Sequence, residues 1–249
     1  MDRIRLGILQ VNHDKTETIG DHFPDDAHRF RDLLDEQEQR FRYRVYMTIA
    51  GEVPAALDEQ DAYLITGSPL SVLDEHAFLP PLYALIRACH AARKPIIGAC
   101  FGHQAIAAAL GGRVERAVSG WNVGIDTTQF ERVRDYMQPL EDLNFYAFHE
   151  DQVTQLPAGA ERIGTSARCA NAAFVMGDHI LTTQMHPEFN PAFMEAVLDE
   201  CEELLGQPLF KAAKASLTRA NHGPKFAGWM TRFLVQAVTA YQQQTREQG

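Results

Sequence analysis

Two short segments carry residue types that could do covalent chemistry. The first is Gly98-Ala99-Cys100-Phe101-Gly102-His103-Gln104, which follows the apolar run Pro95-Ile96-Ile97 and opens an alanine-rich stretch, Ala105 to Leu110, that stops at Gly111-Gly112. A strand, a sharp turn and a helix, with a cysteine at the apex between two glycines, form the layout of a nucleophile elbow. The glycines suit it because a Cβ beside so tight a bend would collide with strand or helix. A sulfur held there sits at a helix N-terminus, where the dipole favours thiolate over thiol. The second segment is Thr183-Gln184-Met185-His186-Pro187-Glu188-Phe189, just after the apolar run Ile180-Leu181-Thr182. His186 is the candidate base that takes the thiol proton and returns it to a leaving group. Glu188 is two residues on, so in extended backbone both side chains share a face and the carboxylate can orient the imidazole. Taken alone, a cysteine is a small buried hydrophobe. The flanking glycines, the strand-to-helix setting and the His-Pro-Glu segment together point to Cys100, His186 and Glu188 as a catalytic triad.

These residues need a scaffold, and apolar patterning predicts one. Strands are expected at Arg3 to Val11, Tyr43 to Ile49 and Ala62 to Thr66, the last ending in Thr66-Gly67-Ser68-Pro69. Helices are expected at Asp26 to Arg40, with Phe30, Leu33 and Leu34 on one face, and at Leu79 to Arg93, with Leu82, Leu85, Ile86 and Cys89 on one face. Such alternation predicts an α/β fold, a mostly parallel twisted sheet flanked by helices, with ligands at the edge where the strands end. From Val114 to about Thr183 the apolar runs shorten, predicting a partly antiparallel extension that returns to the main sheet near His186. Beyond Pro191 the pattern is helical: Met194 to Leu205, ended by Gly206, then Phe226 to Tyr241 after the break at Asn221-His222-Gly223-Pro224. The expected division is residues 1–190 as the catalytic-type domain and 191–249 as a helical extension packed on it.

The chain has 249 residues, 22% charged and 45% hydrophobic, with a net charge of −10. No basic stripe is available for phosphates, which argues against nucleic-acid binding. Arg40, Arg42 and Arg44 read as one solvated strand face. The cysteines, Cys89, Cys100, Cys169 and Cys201, show no zinc spacing and no CxxC pair. Neither a signal-peptide apolar region nor a run of membrane-spanning length is seen, so a reduced, cytoplasmic setting is expected, with no metal, organic cofactor or membrane partner.

Thr66-Gly67-Ser68-Pro69, the Cys100 segment, Leu110-Gly111-Gly112 and Gln184-Met185-His186-Pro187-Glu188-Phe189 together resemble the class I, triad-type glutamine amidotransferases. Gly120-Trp121 and His149-Glu150-Asp151-Gln152-Val153 are weaker matches. The resemblance runs from about residue 3 to residue 190 and is nearest in flavour to stand-alone relatives of the GMP synthetase amidotransferase domain. It implies a flavodoxin-like fold and attack of the cysteine on the side-chain carboxamide of glutamine, giving a γ-glutamyl thioester, ammonia and then glutamate. Cys100 would be the nucleophile, His186 the general acid/base and Glu188 its orienting partner. The N–H groups of Gly67 and Phe101 would form an oxyanion hole, each donor contributing about 3–4 kcal/mol. Gln104, Gly120 and Trp121 would hold the amino-acid end of the substrate. His103, and His149 with Asp151, read as structural hydrogen-bonding residues; Cys89 and Cys169 read as packing. The resemblance also admits a free-standing γ-glutamyl peptidase, or a non-catalytic scaffold. No synthetase or phosphate loop is fused to the chain, so any ammonia acceptor would be a separate subunit.

Overall fold

The apolar runs become strands buried on both faces, as parallel strands sandwiched by helices must be. The structure, a computed structural model, describes residues 3–131 and 134–248. Met1 and Asp2, at the head of the N-terminal stretch considered above, lie outside them.

In chain order the elements are β1 (Arg5–Leu9), α1 (Asp26–Asp35), β2 (Arg42–Tyr46), β3 (Ala62–Ile65), α2 (Leu79–Ala92), β4 (Ile96–Ala99), α3 (Phe101–Ala109), β5 (Arg113–Arg116), β6 (Asn122–Phe130), β7 (Leu143–His149), β8 (Asp151–Gln155), β9 (Ala160–Thr165), β10 (Ala173–Met176), β11 (Ile180–Thr183), α4 (Pro191–Glu200), α5 (Glu202–Ser216) and α6 (Gly223–Gln248). Nine strands form one sheet in the order β2-β1-β3-β4-β11-β10-β9-β6-β7, and β5 and β8 make a separate antiparallel pair. The first five strands in that order are mutually parallel and the rest antiparallel. The chain therefore leaves the parallel array after β4, builds the antiparallel wing and returns as β11 beside β4.

Register places the candidate residues. Ile65 lies opposite Gly98, and Ala99 opposite Thr183. The chain following β3, β4 and β11 thus emerges along one edge, carrying Gly67, Cys100 and His186 to the same place.

One sheet face is covered by α1 and α6, where Phe226, Trp229, Met230, Phe233 and Leu234 pack with Leu6, Ile8, Leu64, Ile97 and Leu181. The other is covered by α2 and α3, where Leu82, Ile86, Phe101 and Ile106 pack with Leu9, Tyr63, Ile65 and Ile96. A third cluster, with Ile19, Tyr146, Phe189, Phe193 and Met194, joins the antiparallel wing to α4 and α5. No described helix is long and apolar enough to cross a membrane.

Several boundaries differ from the pattern-based expectation. The first helix stops at Asp35 rather than Arg40, because Glu36 to Arg40 offers no apolar side chain to bury. The second strand ends at Tyr46, and Thr48–Ala50 is a single 3₁₀ turn closed by Gly51 at φ 90°. The helix expected over Met194 to Leu205 begins at Pro191, where Asn190 caps the N–H of Phe193 at 2.8 Å, and is broken at Cys201. Gly206 does interrupt the path, at φ 71° and ψ 154°, but helical structure resumes beyond it through Ser216.

Candidate active site

Cys100 occupies a backbone conformation that non-glycine residues rarely adopt, φ 48° and ψ −103°. Among the described non-glycine residues only Arg93 shares a positive φ. The surroundings hold the strained bend in place. The Cys100 N–H donates to Thr183 O at 2.8 Å, and the Gly102 N–H donates to Thr66 O at 3.2 Å. A Cβ on Gly98 would lie 2.5 Å from Gly102 O, and one on Gly102 would lie 2.5 Å from Ile65 O. Both glycines flanking the cysteine are therefore required by backbone-to-backbone approach.

His186 is fixed at its main chain by donation to Tyr146 O at 2.9 Å. Its Nδ1 lies 2.8 Å from Glu188 Oε1, so Nε2 is left to face other partners, and its ring stacks on Phe189 at 4.0 Å. Cys100, His186 and Glu188 are all buried. Burial alone would pull the His186 pKa down; the charge of the Cys100 sulfur, a hydrogen bond to that sulfur and the Glu188 carboxylate overcome it and raise the value to about 10. By contrast, burial pushes the Cys89 and Cys169 thiols up to about 12, as for inert packing cysteines.

Gly67 packs directly against this pair. A Cβ there would sit 2.9 Å from His186 Cε1 and 3.7 Å from Cys100 Cβ. Its N–H has no partner among the described residues. Phe101 is the first residue of α3, so its N–H is one of the donors a helix leaves unpaired at its start.

The other sequence-predicted residues divide. Gln104 and Trp121 line a cavity of about 330 Å³ together with Cys100. Gln104 is buried and its amide donates to Asp151 O at 2.8 Å and to Gln184 Oε1 at 3.3 Å. Trp121 meets Phe148 edge-on at 5.4 Å. Gly120 lies outside the cavity lining, in a turn at φ 71°. His149 accepts from Asn122 at 3.2 Å through Nε2 and donates through Nδ1 to Asp151 O at 3.1 Å. Burial lowers its pKa to about 4, so it is a neutral network member. His103 is buried beside Thr182 Oγ1 at 2.9 Å, its pKa lowered by burial to about 3.

One residue given no role in the sequence reading meets the sulfur: the Gln184 side-chain amide donates to Cys100 Sγ at 3.7 Å. Gln184 precedes His186 by two positions, the same spacing that singled out Glu188, so the periodicity of an extended segment could have found it. A second missed feature is the buried Asp26–Arg29 pair, 2.6 Å apart, on the first turn of α1. Burial raises the Asp26 pKa, and the nearby Glu188 charge adds to the effect. A wider depression of about 910 Å³, lined by Arg3, Arg5, Arg40 and Arg42, sits where β1 and β2 begin, away from this chemistry.

A model of the glutamine amidotransferase class-I family matches residues 35–200. The chain is 30% identical over 193 residues to gamma-glutamyl peptidase 2 of Arabidopsis thaliana, covering 74% of this chain and 77% of that protein. It is 31% identical over 135 residues to the GMP synthase [glutamine-hydrolyzing] of Mannheimia succiniciproducens, covering half of this chain but 24% of the synthase. A crystal structure of a glutamine amidotransferase from Methylobacillus flagellatus superposes with a TM-score of 0.72 at 21% identity, covering 95% of each chain, and shares the fold. The apex cysteine, the His-Pro-Glu segment and these matches together establish that the chain belongs to the class-I glutamine amidotransferase family.

Proposed function

We propose that the protein hydrolyses a γ-glutamyl amide through a thioester on Cys100. The observation that carries this reading is the meeting at the sheet edge of Cys100, at its strained apex, with His186, whose Nδ1 lies 2.8 Å from Glu188 Oε1, Gly67 packing against both. The thiolate attacks the γ-carbonyl carbon, and the carbonyl electron pair moves onto oxygen. The Gly67 and Phe101 N–H groups receive that oxyanion. Collapse of the adduct breaks the C–N bond while His186 gives its proton to the departing nitrogen. His186 then takes a proton from water, which attacks the thioester; glutamate leaves and the thiolate is restored. Glu188 keeps the imidazole oriented and offsets its charge. Gln184 donates to the sulfur from the same segment that carries His186.

Glutamine is the first substrate to consider, releasing ammonia, with a separate synthetase subunit as its consumer. The second reading, a free-standing γ-glutamyl hydrolase acting on another γ-glutamyl compound, is favoured by the similarity to a gamma-glutamyl peptidase over three quarters of both chains. The four cysteines are all free, which suits a reducing, cytoplasmic setting.

The test is to incubate the protein with glutamine and with γ-glutamyl amides and to measure glutamate. Turnover of at least one is expected. Cys100→Ala and His186→Ala should each lower kcat by about 10⁴-fold or more, with a larger residue in Glu188→Gln. Undiminished turnover by Cys100→Ala would refute the assignment.

A further inference from the structure

The triad stands between two cavities. The one of about 330 Å³ contains Cys100 and Gln104. The other, of about 160 Å³, contains His186 and Gly67. They share Ser68, Pro69, Phe148 and Cys201, so they adjoin beside the catalytic pair. If the glutamyl chain occupies the cysteine side, the departing nitrogen must come within reach of the imidazole, on the histidine side. The second cavity is then the space available to the leaving group, an assignment that rests on the hydrolase reading above.

Its size and walls describe what fits. Ammonia is water-sized and needs about 30 Å³, so the cavity has room for about five such groups. Phe189, Phe193, Ile19 and Val197 provide apolar walls. The charges are unbalanced. Besides His186, which is paired with Glu188, Arg29 is the one cation in the lining, and it is spent internally: it pairs with Asp26 at 2.6 Å and lies over the Phe193 ring at 3.8 Å. Two further carboxylates, Asp14 from the loop after β1 and Glu200 at the end of α4, have no ion-pair partner among the described residues. Each accepts hydrogen bonds from threonine, Asp14 from Thr16 and Glu200 from Thr18. Their charges add to burial in raising the pKa of the Cys201 thiol.

We infer that the preferred substrates are γ-glutamyl amides of small apolar amines carrying a distal positive charge, recognised by Asp14 and Glu200, and that leaving groups ending in a carboxylate are disfavoured. A γ-glutamyl dipeptide would set its terminal carboxylate against those two acids, whereas an ammonium would be attracted by both.

The experiment compares kcat/KM for three amides of similar length: γ-glutamyl-diaminobutane, γ-glutamyl-butylamine and γ-glutamyl-aminobutyrate, with glutamine alongside. At low ionic strength the first should exceed the last by about tenfold, with the neutral amide between them. The gap should shrink as salt screens the partly exposed carboxylates, a readout that needs no variant. Asp14→Asn combined with Glu200→Gln should lower the cationic amide toward the neutral one. Equal rates for the cationic and anionic amides, or glutamine surpassing all three, would overturn the inference; the latter would make the cavity a solvent inlet for the deacylating water. Release of glutamate with no charge order rejects this inference alone. Absence of release from every substrate, with Cys100 unmodified, rejects the hydrolase reading and this inference with it.

Discussion

At the scale of single residues, the proposed mechanism makes His186 the group that sets the pH dependence of turnover. Its pKa lies near 6.5 ordinarily and near 10 in the fold. The sign follows directly: the folded protein favours the protonated ring, and that preference is lost as pH rises through about 10. A protonated ring is what the departing nitrogen needs, so turnover should hold across neutral pH and fall on the alkaline side toward pH 10. Removing one counter-charge with Glu188→Gln should move that fall to lower pH. A pH–rate profile of wild type and variant checks both, and an alkaline limb near 6.5 in the wild type would contradict the charge arrangement. That Cys100, His186 and Glu188 would come together was legible in the sequence because each carries a spacing with physical meaning: glycines around Cys100, and alternation from His186 to Glu188. Gln184 had the same spacing signal but lacked a chemical reason to be noticed until its amide was seen beside the sulfur.

At the scale of elements, the bend between β4 and α3 is the constrained feature. Gly102→Ala would set a Cβ against Ile65 O at 2.5 Å. Main-chain atoms cannot step aside as a flexible side chain can, so about 1–3 kcal/mol of stability should be lost, with activity falling through displacement of Cys100. Gly120→Ala is the control: its added Cβ meets nothing within 4 Å, leaving only the strain of φ 71°. Thermal unfolding of the two variants compares them, and equal stability would refute the close-approach argument. The parallel core was legible because its strands are unbroken apolar runs bounded by turns. Termini were not, since they depend on what each end packs against. Glu36 to Arg40 continues a helix-compatible composition but has no core to meet, and Cys201 breaks a helical pattern that local sequence would carry through. The pairing of β11 with β4, which delivers His186 to Cys100, is a long-range event that no local pattern encodes.

At the scale of the whole molecule, α6 is part of the core that holds the site. Trp229 is 2% exposed and meets Phe130 edge-on at 4.8 Å, and its neighbours Phe226 and Phe233 are equally buried among strand residues. Trp229→Ala should cost about 3–5 kcal/mol, read by denaturant unfolding, and residues 1–190 alone should fail to fold cooperatively. A folded, active fragment of that length would show the helix to be dispensable. Every other part of the account converges on the sulfur that this architecture lifts to the sheet edge. The most direct test is to quench the protein during turnover of a γ-glutamyl amide in acid and locate the acyl group by peptide mass spectrometry. One γ-glutamyl group on the peptide containing Cys100, lost on treatment with hydroxylamine and absent from Cys100→Ala, is the predicted result. Steady release of glutamate with the label on another residue, or with none on Cys100 under conditions that trap thioesters, would contradict it.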